Sequence, residues 1–124
     1  GLGVSNFPNL FTITGPGSPS VLSTMMPSIE QHVNWIADCI SWMIDNDKSV
    51  IESSIAAEEE WMSLVNEIAG MTIFKSTESW YNGSNIDSKA KAFLPFIGVP
   101  VYTEKLEEVT SNNYQGFIFD TSNN

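Results

Sequence analysis

The chain has 124 residues, enough for one domain or a piece of one, and 42% of them are apolar, enough for a real core. Fifteen Asp and Glu stand against five Lys, with no Arg, and the formal net charge is −10. That balance excludes a phosphate-tracking nucleic-acid surface and docking on anionic membranes, both of which need basic residues.

Charged residues make up only 16% of the chain, against about 25% in an ordinary soluble domain. With four Trp and five Met, this implies surface meant to be covered by other protein. No apolar run reaches the ~20 residues of a membrane span. The opening GLGVSNFPNLF has no basic n-region of a signal peptide and no initiator Met, so the chain is expected to be a piece of a longer protein. Cys39 is the only cysteine. An internal disulfide is impossible, which fits a reducing, cytoplasmic setting. Asn82-Gly83-Ser84 matches the glycosylation pattern, a short match frequent by chance.

In chain order, residues 9–14 (NLFTIT) alternate apolar and polar and predict a strand. Gly15-Pro16-Gly17-Ser18-Pro19-Ser20 breaks it sharply. A long helix then runs to about Asn46, with Met25, Ile29, Val33, Ile36, Ile40 and Met43 stepping by three or four as one buried stripe. Ser23 or Thr24 is a candidate N-cap, and Ser28 with Gln31 an alternative capping box. Pro27 sits near the start, where its missing N–H costs little. Trp35 and Trp42 lie off that stripe, so neighbours are expected on two sides of the helix. Asp45-Asn46-Asp47-Lys48 ends it.

A second helix spans Ala56 to about Ala69, with Trp61, Leu64, Val65 and Ile68 inward and Gly70 closing it. Glu58, Glu59 and Glu60 fall in its first turns, where the helix dipole favours negative charge. Residues 71–92 carry little periodicity and read as a long excursion. Phe93 to Gly98 is a short extended segment, with Pro95 arguing against a central strand. Val101 to Ser111 suits a short helix with Leu106 and Val109 inward, and Tyr114 to Phe119 a last strand.

The chain offers little catalytic equipment of its own. One His and one Cys do not make a metal site, although His32 and Cys39 are seven apart on one helix; the simpler reading is two residues flanking the buried face. There is no GxSxG, no GxGxxG and no GxxxxGK[ST]. What remains is a Gly/Pro-rich turn leading into a helix N-terminus. Such a unit offers backbone N–H groups and a positive dipole end to an electron-rich ligand, or is an ordinary tight turn.

More specific are Phe7-Pro8-Asn9-Leu10-Phe11, Gly15-Pro16-Gly17-Ser18-Pro19-Ser20 and Ser28-Ile29-Glu30-Gln31-His32-Val33. Glu58-Glu59-Glu60-Trp61, Val65-Asn66-Glu67, Ser79-Trp80-Tyr81 with Gly83 and Asn85, Glu107-Glu108-Val109 and Tyr114-Gln115-Gly116-Phe117 follow in order. Together they resemble the C-terminal region of Baeyer–Villiger monooxygenases of the cyclohexanone and phenylacetone type, across essentially the whole chain.

The resemblance implies an α/β fragment, mainly two long helices with a few short strands, from the C-terminal part of a flavoprotein with two dinucleotide-binding domains. Residues 1–72 would form the FAD-domain side, 73–92 a mobile cofactor-closing loop, and 93–124 a C-terminal strand–helix–strand. It implies FAD and NADPH as cofactors, a small ketone as substrate, an ester or lactone as product, and N-terminal FAD and NADPH domains as the missing partners.

By the same resemblance, Gly15, Pro16 and Gly17 approach the flavin and Met25 packs close to it. Ser20, Val21 and Leu22 line the substrate pocket, and Trp80 folds over NADPH. The plainer reading of Val21, Leu22 and Met25 is core, and of Trp80 a loop anchor. No catalytic residue is expected in the segment: the family's catalytic arginine cannot lie in a chain without Arg, and its His/Trp-Pro fingerprint is absent.

Two departures stand out. Thr24 replaces the family's usual Asn, and Asp87-Ser88-Lys89-Ala90-Lys91 replaces Pro-Gly-Lys-Pro-Arg, exchanging a bidentate Arg for a point charge. The alternatives are a non-catalytic helical interaction module using Trp35 or Trp42 as its face, and a segment of a related flavin enzyme that oxygenates nitrogen or sulfur.

Overall fold

A computed structural model describes residues 1–19, 24–71, 87, 95–96 and 98–121. Its elements are α1 (Met25–Asp45), β1 (Val50–Ser53), α2 (Ile55–Gly70), α3 (Val99–Ser111) and β2 (Phe117–Asp120). The strands pair antiparallel, Val50 opposite Asp120 and Ser53 opposite Phe117. The chain is thus a small α/β unit of three described helices and one two-stranded ribbon. α3 is longer than expected, because Pro100 occupies the first turn instead of preceding it.

Each helix start has a local cause. α1 begins after Thr24, whose side chain makes no capping bond, and carries Pro27 in its first turn, where no intrahelical N–H partner is lost. Ser28 and Gln31 lie inside the helix, so no capping box forms there. α2 is capped by Ser54, which accepts from the Ala57 N–H at 3.2 Å, and has Glu58 in its first turn. α3 starts after Gly98, held at φ +115°.

The strand expected at residues 9–14 does not form. Asn9 and Thr14 both take positive φ, 60° and 52°, which no strand interior accommodates. Asn9 instead caps the edge of β1: its N–H donates to the Ile51 carbonyl at 2.8 Å and its Oδ1 accepts from the Ile51 N–H at 3.0 Å. One residue supplies both bonds of a ladder pair, and the segment then turns away. β1 itself, four residues long, was not anticipated. Of the extended stretch expected at 93–98, Phe96 makes an isolated parallel bridge to Pro19.

The buried face of α1 differs from the expected stripe. Ser28, His32, Trp35, Cys39 and Met43 point inward, whereas Val33, Ile40 and Ile44 remain 46%, 44% and 69% exposed. Aromatic area decides this: an indole buries far more surface than a branched aliphatic. Trp35 and Trp42 both pack on Tyr114, at ring separations of 5.3 and 5.2 Å, and Trp42 also on Phe119 at 4.9 Å. Trp35 is only 8% exposed and Trp42 half-buried, so neither is a free binding face, and the interaction-module reading loses its surface.

Two cores result. Leu2, Trp35, Cys39, Met43, Ile51 and Tyr114 form one, and Val65, Ala69, Phe96 and Tyr102 the other, with Leu106 of α3 against both. Trp61, Leu64 and Ile68 pack on the second core, as the α2 stripe predicts.

A clamped turn as the candidate functional site

The Gly15–Pro19 turn is held from two helices and from the extended residue Phe96. At its entry, the Thr14 N–H donates to His32 Nδ1 of α1 at 2.9 Å. In its middle, Trp61 Nε1 of α2 donates to the Gly17 carbonyl at 2.8 Å. At its exit, the Phe96 N–H donates to the Ser18 carbonyl at 2.9 Å. Within the turn, Ser18 returns its Oγ to the Gly15 carbonyl at 2.5 Å and its N–H to the same oxygen at 3.2 Å. The carbonyls of Gly15, Gly17 and Ser18 are therefore spent on internal anchors.

Beneath the turn the anchors touch one another. Trp61 stacks on Phe96 with centroids 5.1 Å apart and planes at 14°. Tyr102 of α3 meets Trp61 edge-on at 5.7 Å and Phe96 at 5.7 Å. Its hydroxyl lies 2.8 Å from His32 Nε2. A backbone N–H already occupies Nδ1, so that nitrogen carries no proton. The neutral ring keeps its proton on Nε2 and donates it to Tyr102 Oη. His32 is fully buried, and burial holds its pKa down at about 4. Burial likewise raises Tyr102 above the ordinary phenol range.

Glycine is required at both turn positions. Gly17 has φ +78°, and a Cβ there would stand 2.8 Å from Trp61 Nε1. A Cβ at Gly15 would collide with the Thr12 side chain. Gly17, Ser18 and Pro19 are buried, Gly15 is half-buried and Pro16 is exposed at the tip. Met25, half-buried, is the first residue of α1. Ser20, Val21, Leu22 and Trp80 lie outside the described residues, as does most of the segment 73–92.

Among the described residues, α1 opens with no acidic residue in its first turn and no side chain capping it, which leaves its first amides and positive end available to an electron-rich group. Cys39 is no candidate nucleophile: it is fully buried, and burial pushes its thiol up to about 11. Among the described residues no group of three or more His, Cys, Asp or Glu could hold a metal, and no described helix is long and apolar enough to cross a membrane.

His32 and Tyr102 did not emerge as site residues from the sequence. Their contact joins residues 70 apart, and a helical His beside apolar residues reads as packing. Trp61 was placed on the buried stripe of α2, but its bond to Gly17 has no periodic signature.

No family model matches the chain. It is 40% identical over 119 residues to the phenazine N-monooxygenase PhzNO1 of Lysobacter antibioticus, covering 95% of this chain and 22% of that protein. It is 36% identical over 116 residues to a Baeyer–Villiger monooxygenase of Pseudooceanicola batsensis, covering 93% and 21%.

Among solved structures, cyclohexanone monooxygenase from Rhodococcus sp. Phi1 bound to NADP+ superposes with TM-score 0.89 at 34% identity, over 98% of this chain and 23% of that one. OTEMO in complex with FAD and NADP superposes with TM-score 0.85 at 29% identity, over 97% and 22%. The chain is thus homologous, over nearly its whole length, to one segment of the Baeyer–Villiger monooxygenases, and it spans only about a fifth of the length of these relatives.

Proposed function

We propose that the chain is the C-terminal segment of an FAD- and NADPH-dependent monooxygenase of the Baeyer–Villiger type, which inserts oxygen beside a ketone carbonyl to give an ester or lactone. The observation that carries this reading is the end-to-end match to such enzymes in sequence and fold. In it, Gly15, Pro16, Gly17 and Met25 form the wall against the flavin. Ser20, Val21 and Leu22 line the ketone pocket, and Trp80, on the segment 73–92, closes over NADPH.

FAD, reduced by NADPH, supplies the oxygen-activating chemistry; the segment positions, shields and excludes water. The exposed stripe of Val33, Ile40 and Ile44 on α1 is the face that the N-terminal FAD and NADPH domains cover, which also accounts for the low charge content. A cytoplasmic setting belongs to the same reading, favoured by a lone thiol buried in the core.

A second reading, oxygenation of a ring nitrogen, is favoured by the 40% identity to the phenazine enzyme. Both share the flavin, so the first test is of the flavin itself. The full-length protein is expected to purify yellow, with a flavin band that NADPH bleaches, while the 124-residue chain alone stays colourless. A stoichiometric yellow complex of the chain alone would contradict the one-wall account. A colourless full-length protein would contradict the flavoprotein reading altogether.

A further inference from the structure

We propose that His32 is a positioning residue for the flavin-facing turn: its two ring nitrogens tie the turn's entry, through Thr14, to α3, through Tyr102. The proposal rests on the reading of Gly15–Pro19 as the flavin wall. Three observations carry it.

First, His32 is fully buried, yet both its nitrogens are matched, Nδ1 by the Thr14 N–H at 2.9 Å and Nε2 by Tyr102 Oη at 2.8 Å. Burial obliges both nitrogens to find partners, and here the two come from separate segments, the entry of the turn and α3, so the ring joins them. Second, Thr14 sits at φ +52°, a conformation that a β-branched residue rarely adopts. The bond to Nδ1 holds that backbone in place immediately before Gly15. Third, Tyr102 also packs against Trp61 and Phe96, which grip Gly17 and Ser18. The entry, middle and exit of the turn are therefore referred to one rigid aromatic block.

The physical consequence is specific. Neutral imidazole can accept at one nitrogen and donate at the other at the same time, and so can a glutamine amide, whereas leucine fills similar space and does neither. Losing the link frees the turn's entry while the cores beneath remain filled. A displacement of that kind misplaces the pocket wall more than it unfolds the protein.

The test uses the full-length protein with three substitutions: His32→Gln, His32→Leu and Tyr102→Phe. Hydrogen exchange of a peptide covering residues 12–18 reads the turn directly, whether or not the protein turns over. Exchange is expected to speed up about tenfold in His32→Leu and severalfold in Tyr102→Phe, and to stay within about twofold of wild type in His32→Gln. In turnover, His32→Leu is expected to raise the KM for ketone and the NADPH spent per product, each about tenfold, with a smaller change in kcat; His32→Gln restores both.

Wild-type exchange and KM in a folded His32→Leu would overturn the proposal. Equal damage in His32→Gln and His32→Leu would also overturn it, because volume rather than hydrogen bonding would then set the turn. If exchange follows the expected order but the wild-type protein binds no flavin, the clamp stands and the flavin-wall reading falls.

Discussion

Gly17→Ala is expected to destabilise the protein by about 3 kcal/mol, from three contributions. Holding a non-glycine residue in the left-handed region, here φ +78°, costs about 1–2 kcal/mol. The new Cβ would stand 2.8 Å from Trp61 Nε1, closer than a Cβ can sit, and a tight 3.2 Å from its Cδ1. Trp61 cannot swing aside cheaply, because it is stacked on Phe96 and bonded to the Gly17 carbonyl. Breaking that bond leaves a polar group unpaired in a buried turn, at about 1–3 kcal/mol.

Gly98→Ala is the control. Gly98 has φ +115°, but its nearest Cβ contact is an ordinary 3.8 Å to Val101. It bears the backbone strain without the clash. Denaturant titration of both variants in the full-length protein separates the two effects. Gly17→Ala no more destabilising than Gly98→Ala would mean that Trp61 does not grip the turn.

The second large effect is a pH dependence. His32 keeps a folded pKa of about 4, against 6.5 for the free side chain, chiefly because it is buried. A depressed histidine is neutral in the native state. Its stabilising contribution is therefore complete above about pH 6.5. As pH falls towards 4 the unfolded chain takes up a proton that the native ring refuses, and stability declines; below 4 both states are protonated and the loss levels off. The difference between 6.5 and about 4 corresponds to a loss of about 3.4 kcal/mol in total, of which about 2 kcal/mol is reached by pH 5.

Other groups titrate over the same range, so the informative quantity is the difference between wild type and His32→Gln. That difference is expected to move by about 2 kcal/mol against wild type between pH 7.5 and pH 5. A difference independent of pH would show that His32 takes up its proton as readily in the folded protein as in the unfolded chain, and so is not held neutral by burial and the Thr14 bond.

How much of this was legible in the sequence depends on the range of the interaction. α2 was read almost to the residue, because its acidic first turn, its stripe and the closing Gly70 are all local signals; its cap Ser54 came only with the structure. The end of α1 was equally clear. Its inward face was not: the aliphatic period through Val33 and Ile40 is as regular as the true one, and only the partners Tyr114 and Phe119, far along the chain, turn the two Trp inward. Residues 9–14 looked like a strand because alternation is a local signal, but the sheet has room there for only one residue, Asn9.

The turn itself was found from its Gly and Pro. The clamp was not, since His32–Tyr102 and Trp61–Gly17 join residues 70 and 44 apart. Buried polar contacts of that kind leave no period to find. The low charge content did forecast uncovered surface, and the structure places it on α1 at Val33, Ile40 and Ile44 instead of at the tryptophans.

Product analysis with labelled oxygen tests the central claim most directly. The full-length protein is given NADPH, 18O2 and a cyclic ketone, or a phenazine in its place. In the expected reaction the ketone, O2, NADPH and a proton yield lactone, water and NADP+, and label appears in the lactone ring oxygen. That result would establish the ketone-oxygenating reading. Label found only in a phenazine N-oxide, with the ketone returned unchanged, would contradict it and move the segment to the nitrogen-oxygenating relatives.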